Sequence, residues 1–177
     1  MSWSIDNSVE SVLSFELPES DINGDTSFSQ KVGESFLMEL NKPTFFKTRF
    51  KISDAIQSVL FIGLTGPVTI VDGVYFTKAA GSALLDFVVI KDNVSTVNSG
   101  IGTVADDTYI TAAFYYNGID KISYYVGTDS TNPTFVGESV VTNLPDDEEL
   151  TITFGIQNGE AVSKTMSVDY ILASKER

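Results

Sequence analysis

The stretch Tyr109–Gly127, YITAAFYYNGIDKISYYVG, constrains the fold more than any other part of the chain. Two runs rich in Tyr, Ile, Val and Phe flank Asn117-Gly118, and such side chains suit a pleated, half-buried surface. Asn-Gly is a strong hairpin signal because both residues tolerate positive φ at low steric cost. The apolar pattern then sets the register. A two-residue loop would put Lys121 opposite Phe114 and mix charge into an apolar face. A three-residue loop, Asn117 to Ile119, pairs Phe114 with Ile122, Ala112 with Tyr124 and Ile110 with Val126. A one-residue slip would undo the face this gathers, so the three-residue loop is the expected one.

The same alternation recurs along the chain. In Phe45–Ile52, Phe46, Thr48, Phe50 and Ile52 face one way while Lys47, Arg49 and Lys51 face the other. Strands are also expected at Val12–Leu17, Glu34–Leu40, Val74–Thr77, Ala83–Lys91, Phe135–Val141 and Leu150–Ile156. Ser58–Leu64 is apolar on both faces and reads as a covered, central strand. A short strand is expected within Val94–Asp107, and polar Pro18–Gln30 reads as loop. In Lys164–Ala173, strict alternation puts Met166, Val168, Tyr170 and Leu172 on one face and Ser167, Asp169 and Ile171 on the other. About eleven or twelve short strands, separated by Gly, Asn, Asp and Pro, with no helical period, predict an all-β antiparallel sandwich or barrel. The 177 residues read as one domain, 1–177, with 1–30 as a partly extended N-terminal segment. That length buries roughly 70% of the unfolded surface.

Composition removes much chemistry. There is no Cys and no His, so disulfides, thiolates, the usual transition-metal ligands and the commonest general base are missing. Acids outnumber bases 24 to 11, for a net charge of −13, which disfavours nucleic acid as a partner. No apolar run approaches the ~20 residues that span a bilayer, and the N-terminus lacks the basic and apolar regions of a secretory signal. A calcium loop starting at Asp21 would need Gly and Glu where Thr26 and Val32 stand, so it reads as a solvated turn. The acids Asp146 to Glu149 read as a solvated connector. Gly-rich phosphate loops are absent, as is a Glu-x-Asp-x-x-Glu strand motif. No catalytic, cofactor-binding or metal-ligating residue is therefore assigned.

Three features keep a functional reading open. Lys47, Arg49 and Lys51 line one face of one strand, either as a dock for an acidic subunit or anionic glycan, or as a solvated or edge-guarding face. Tyr109, Tyr115 and Tyr125, with Tyr116 and Tyr124 beside them, suit sugar stacking, cross-strand packing or a subunit contact equally well. Asp86 and Asp169 sit inside expected strands. As neighbours on one concave sheet they could act as the acid and base of a glycosidase, and apart they read as structural.

The segments Phe45–Thr65, Asp72–Asn93, the Tyr-rich hairpin and Glu149–Ala173 together resemble the concanavalin A-like jelly-roll proteins found among tailed-bacteriophage virion components. The resemblance implies an antiparallel jelly-roll β-sandwich with almost no helix. It also implies a noncatalytic virion structural protein of the capsid cement or decoration type. Such a protein is made in the host cytoplasm and sits on the capsid exterior as a homo-oligomer, a trimer. It would bind the major capsid protein or other virion subunits through Lys47, Arg49, Lys51 and the N-terminal segment, with no cofactor, nucleic acid or membrane. The alternative is a carbohydrate-binding module or a tail or head-fibre adhesin using the tyrosines. A glycoside hydrolase using Asp86 or Asp169 stands third.

Overall fold

A computed structural model describes residues 3–6, 12–16, 22–33, 35–66 and 70–176. Thirteen strands run in chain order: β1 (Trp3–Asp6), β2 (Val12–Glu16), β3 (Thr26–Gln30), β4 (Thr44–Ile52), β5 (Ser58–Thr65), β6 (Gly73–Lys78), β7 (Leu84–Lys91), β8 (Val94–Thr103), β9 (Ile110–Tyr116), β10 (Lys121–Gly127), β11 (Thr134–Val140), β12 (Thr151–Asn158) and β13 (Thr165–Lys175). They form a seven-stranded sheet, β1-β2-β13-β4-β9-β10-β11, and a six-stranded sheet, β3-β12-β5-β6-β7-β8. Every ladder is antiparallel. The expected all-β jelly-roll sandwich is the observed fold. No helix occurs among the described residues, so none is long and apolar enough to cross a membrane.

The two sheets close on one core, and the period-two pattern selects the side chains that enter it. In β4 the inward set is Thr44, Phe46, Thr48, Phe50 and Ile52, all buried. Rings from both sheets meet at its centre. Phe114 lies 5.3 Å from Phe46 within the seven-stranded sheet, and 5.7 and 6.3 Å from Phe87 and Phe76 of the other. Tyr124 joins through Phe87 at 5.1 Å. Ser58–Thr65 lies between β12 and β6, the central position its two-faced apolarity demands.

The structure corrects the expected pattern in several places. The hairpin pairs Tyr116 with Ile122, Phe114 with Tyr124 and Ala112 with Val126, two residues from the expected register and therefore with the same face inward. The cause is the Asn117 side chain. Its Oδ1 accepts the N–H groups of Ile119, Asp120 and Lys121 at 2.9, 3.0 and 3.2 Å. This longer turn takes in Asp120, with Gly118 at φ 76°. Instead of a strand at Glu34–Leu40 there is a single bridge, Phe36 to Leu150. Polar Thr26–Gln30 is a strand, because its backbone completes the edge beside β12, a need that composition does not display. β8 extends over ten residues. Tyr116 and Tyr124 are buried, at 2% and 8% exposure, and belong to the core and not to the surface. Asp21, where the calcium loop would begin, lies outside the described residues.

The most consequential correction is in β13. Its register against β4 shifts between Val168 and Tyr170, so Asp169 is the extra residue of a β-bulge. Met166 and Val168 point into the core, and after the bulge Ile171 and Ala173 pack against it. Tyr170 and Leu172 therefore turn outward, opposite to strict alternation. Core-facing Thr48 donates its hydroxyl to the Tyr170 carbonyl at 3.1 Å, satisfying a backbone acceptor where the ladder is disrupted.

Candidate functional site

The outer face of the seven-stranded sheet gathers six candidate contact residues of the sequence reading; much of the N-terminal segment, the other candidate contact, lies outside the described residues. Lys47, Arg49 and Lys51 project from β4, and Tyr115 and Tyr125 from β9 and β10. Tyr109, just before β9, folds its ring over the stripe: its centroid lies 4.2 Å from the Arg49 guanidinium and 5.5 Å from Lys51 Nζ. Cross-strand registers arrange the face in rows. One row reads Leu172, Lys47, Ala113, Tyr125 and Phe135, and the next reads Tyr170, Arg49, Thr111 and Gly127.

Two groups beside the bulge join the face. Asp169, outward as strict periodicity had it, meets Arg49, with Nη1 donating to Oδ2 at 2.7 Å. Tyr170, which strict periodicity had assigned to the core face, is turned outward by the bulge, its ring 5.6 Å from Lys47 Nζ. Cations and rings thus alternate across the face, a geometry in which each ring's negative π-face meets a cation. The stripe is also charge-matched within the chain. Arg49 meets Asp169 and Lys51 Nζ lies 3.8 Å from Asp107, while Lys47 and Asp129 attract each other only from beyond ion-pair distance. The backbone N–H groups of Asn132 and Thr131, and then Lys47, hold the Asp129 carboxyl below the usual range.

Ala113 is the small residue between Lys47 and Tyr125, and its short side chain leaves a depression of about 200 Å³. Phe45, Lys47 and Tyr125 wall it, and Thr131 to Pro133 overhang it. Beyond Tyr125, Phe135 stands edge-on at 5.6 Å and 54% exposed. The overhang belongs to the β10–β11 connection, which doubles back across the face. Lys47 Nζ donates to the Thr131 carbonyl at 2.6 Å, and the Tyr170 hydroxyl to the Ser130 carbonyl at 2.5 Å. Sequence reasoning missed Tyr170, Phe135 and this connection, because none carries a motif and Tyr170 faces outward only through the bulge.

The two strand carboxylates do not come together. Asp169 belongs to the seven-stranded sheet, whereas Asp86 lies in β7 of the other sheet and accepts the Gly100 N–H at 2.7 Å. They form no acid–base dyad. Among the described residues no three carboxylates gather to hold a metal ion.

No protein-family model and no curated protein matches the sequence. Solved structures do match in fold. The β-glucanase of Bacillus licheniformis aligns at TM-score 0.65 and 16% identity, covering 99% of this chain and 82% of the enzyme. The endo-β-1,4-glucuronan lyase of Trichoderma reesei aligns at TM-score 0.63 and 8% identity, covering 98% and 86%. The carbohydrate-binding module CBM66 of Bacillus subtilis aligns at TM-score 0.57 and 10% identity, covering 99% and 91%. The chain is similar to these in its concanavalin A-like jelly roll. None of the three is described as a virion component.

Proposed function

We propose that this chain is a noncatalytic glycan-binding module whose ligand lies on the outer face of the seven-stranded sheet. The observation that carries the reading is the row Lys47–Ala113–Tyr125, in which a donor and an aromatic ring flank a depression of about 200 Å³ floored by a methyl group. A sugar hydroxyl both donates and accepts, so it can bond Lys47 and the polar groups of Thr131 and Asn132 alike, while the C–H face of the ring packs on Tyr125. A few polar groups among aromatic walls is the usual composition of a small-ligand site. That the same fold serves a carbohydrate-binding module and two polysaccharide-acting enzymes supports the reading.

The ligand we infer is a neutral β-linked glucan. Arg49 and Lys51 are met by Asp169 and Asp107, and the chain as a whole carries −13, so a polyanion gains little here. The same charge matching weakens the virion-shell reading, since the stripe has less to offer an acidic subunit. The noncatalytic part of the proposal rests on the separation of Asp86 from Asp169 across two sheets.

An array of neutral and uronic-acid oligosaccharides, followed by calorimetry on a bound member, tests the proposal. Binding should vary little with ionic strength, because neutral contacts are not screened. Ala113→Leu should fill the depression and weaken binding by about tenfold or more; Ala113 is 2% exposed, so melting should fall as well, and binding is compared at a temperature where circular dichroism shows both proteins folded. Absence of any glycan ligand, or an Ala113→Leu variant that binds like the parent chain, would defeat it. Capture of a phage shell protein by this face without glycan binding would favour the virion reading.

A further inference from the structure

We infer that the β10–β11 connection, Thr128–Pro133, is a lid over a second sugar subsite floored by Thr111 and Arg49; the inference rests on the glycan reading of the first. Two buried polar atoms motivate it. Thr111 Oγ1 and Arg49 Nε have no hydrogen-bond partner, although both lie at the outer face and are register partners. Thr111 is 0% exposed, so something covers it. The connection leaves the sheet at Gly127, the other register partner of Thr111. It next touches the face at the Tyr170 hydroxyl, and Tyr170 is the partner of Arg49. To reach Tyr170 and Lys47 from Gly127 it crosses β9 and β4, the strands that carry Thr111 and Arg49.

The closed position is weakly held. Residues 128–132 are exposed, so little apolar surface anchors them. Within the connection, the Thr131 and Asn132 N–H groups bond the Asp129 carboxylate at 2.7 and 2.9 Å, a local turn that would travel with it. Its described tethers to the face include the bonds from Lys47 and Tyr170, side chains that a ligand would also engage. Closed, the lid leaves the Arg49 Nε–H donor and the Thr111 hydroxyl, both donor and acceptor, buried and unsatisfied, which is costly. Opened, it frees the Arg49 Nε–H donor, the Thr111 hydroxyl, Lys47 and Tyr170 together. That set matches the mixed donor and acceptor character of a hydroxylated ring. The subsite lies one row from the Ala113 depression, so a chain of two sugars would reach Thr111 and a single sugar in the depression would not.

Thr111→Val tests this, since it keeps shape and removes the hydroxyl. A partnerless hydroxyl predicts unchanged or higher melting temperature, together with about 5- to 10-fold weaker binding of a neutral β-glucan hexasaccharide, the equivalent of one hydrogen bond. Glucose binding should not change. A lower melting temperature would show that the hydroxyl has a structural partner, and unchanged hexasaccharide affinity would show that no ligand reaches it. Either result overturns the subsite. A second variant, in which Thr128–Pro133 is replaced by an Asn-Gly turn, should bind the hexasaccharide faster, and an unchanged or slower association rate counts against a lid. Hydrogen exchange on the full chain reads the lid without ligand: amides of 128–133 should exchange far faster than those of β9 and β10, and equal protection overturns the proposal. If Ala113→Leu abolishes binding while both lid variants behave like the parent, the function stands and the lid falls. If the parent chain binds no glucan, the function falls and exchange still judges the lid.

Discussion

Asp54 offers the most quantitative test of how this sandwich is held shut at one end. Its carboxylate accepts the Ile56 and Gln57 N–H groups at 2.9 and 2.7 Å, and Lys164 Nζ at 2.8 Å. The Gln57 N–H and then Lys164 hold its pKa at about 2, against an ordinary 3.8. Lys164 is itself buried, at 4% exposure, and its other carboxylate partner is Glu160. The folded state therefore binds the Asp54 proton less tightly than the unfolded chain. Stability from this group is complete above the unfolded value and is lost as pH falls from about 4 toward 2. At 1.36 kcal/mol per unit, the depression corresponds to about 2 kcal/mol. Asp54→Asn keeps one oxygen for the turn but presents an amide N–H₂ to the Lys164 ammonium. The variant should lose about 2 kcal/mol at neutral pH by urea titration, or roughly 4–8 °C of melting temperature for a chain of this size. The difference from the parent should shrink as pH drops through the acid range, because the parent then protonates the same oxygen. Equal stability at pH 7, or a gap that persists unchanged at pH 2, would refute the assignment of this carboxylate as a stabilising charge.

Two further substitutions probe the frame that carries the site. Phe114→Ala empties the centre of the ring cluster, 5.3 to 6.3 Å from three other rings, and should cost about 3–5 kcal/mol in denaturant unfolding; a loss below about 1 kcal/mol would show that the cluster collapses around the gap. Gly63→Ala would set a methyl 2.5 Å from the Tyr75 Cα and the Val74 carbonyl, backbone atoms of the paired strand that cannot turn aside, so melting should fall by several degrees. Gly66→Ala meets nothing nearer than 3.8 Å and should change melting little, which makes it the matched control.

Much of the fold was legible because core-facing positions recur with period two wherever one face is buried. Phe46, Thr48, Phe50 and Ile52 declare their direction by what alternates with them, and the structure buries all four. Legibility ended where a single side chain redirected the backbone. Asn117 carries an acceptor that gathers three N–H groups. Whether it does so, or leaves a tighter turn, is decided by local geometry that apolar pattern does not encode. The two-residue displacement that results keeps every side chain on its face, which explains how a wrong register still led to the right core. Thr26–Gln30 failed for another reason: an edge strand is defined by the backbone groups of its neighbour, and here polar side chains lie over an apolar partner.

The site was legible only in its parts. Lys47, Arg49 and Lys51 were readable as a stripe, and Tyr109 and Tyr125 as surface rings, but nothing in their spacing says that they share a face. Sheet order supplies that, by placing β4 beside β9 and β9 beside β10. The remaining members depend on departures from regularity. Were β13 to continue past Val168 without bulging, Tyr170 would enter the core in place of Ile171, and the connection at Ser130 would lose its anchor on the Tyr170 hydroxyl. The bulged residue is itself the carboxylate that meets Arg49. Deleting Asp169 should therefore close the bulge with Val168 still opposite Phe50 and Tyr170 still opposite Arg49, leaving Ile171 inward and Tyr170 outward while Arg49 loses its carboxylate. Thr111→Val is the complementary change, because it leaves the bulge, the Arg49–Asp169 pair and the bonds from Lys47 and Tyr170 in place and alters only the group beneath.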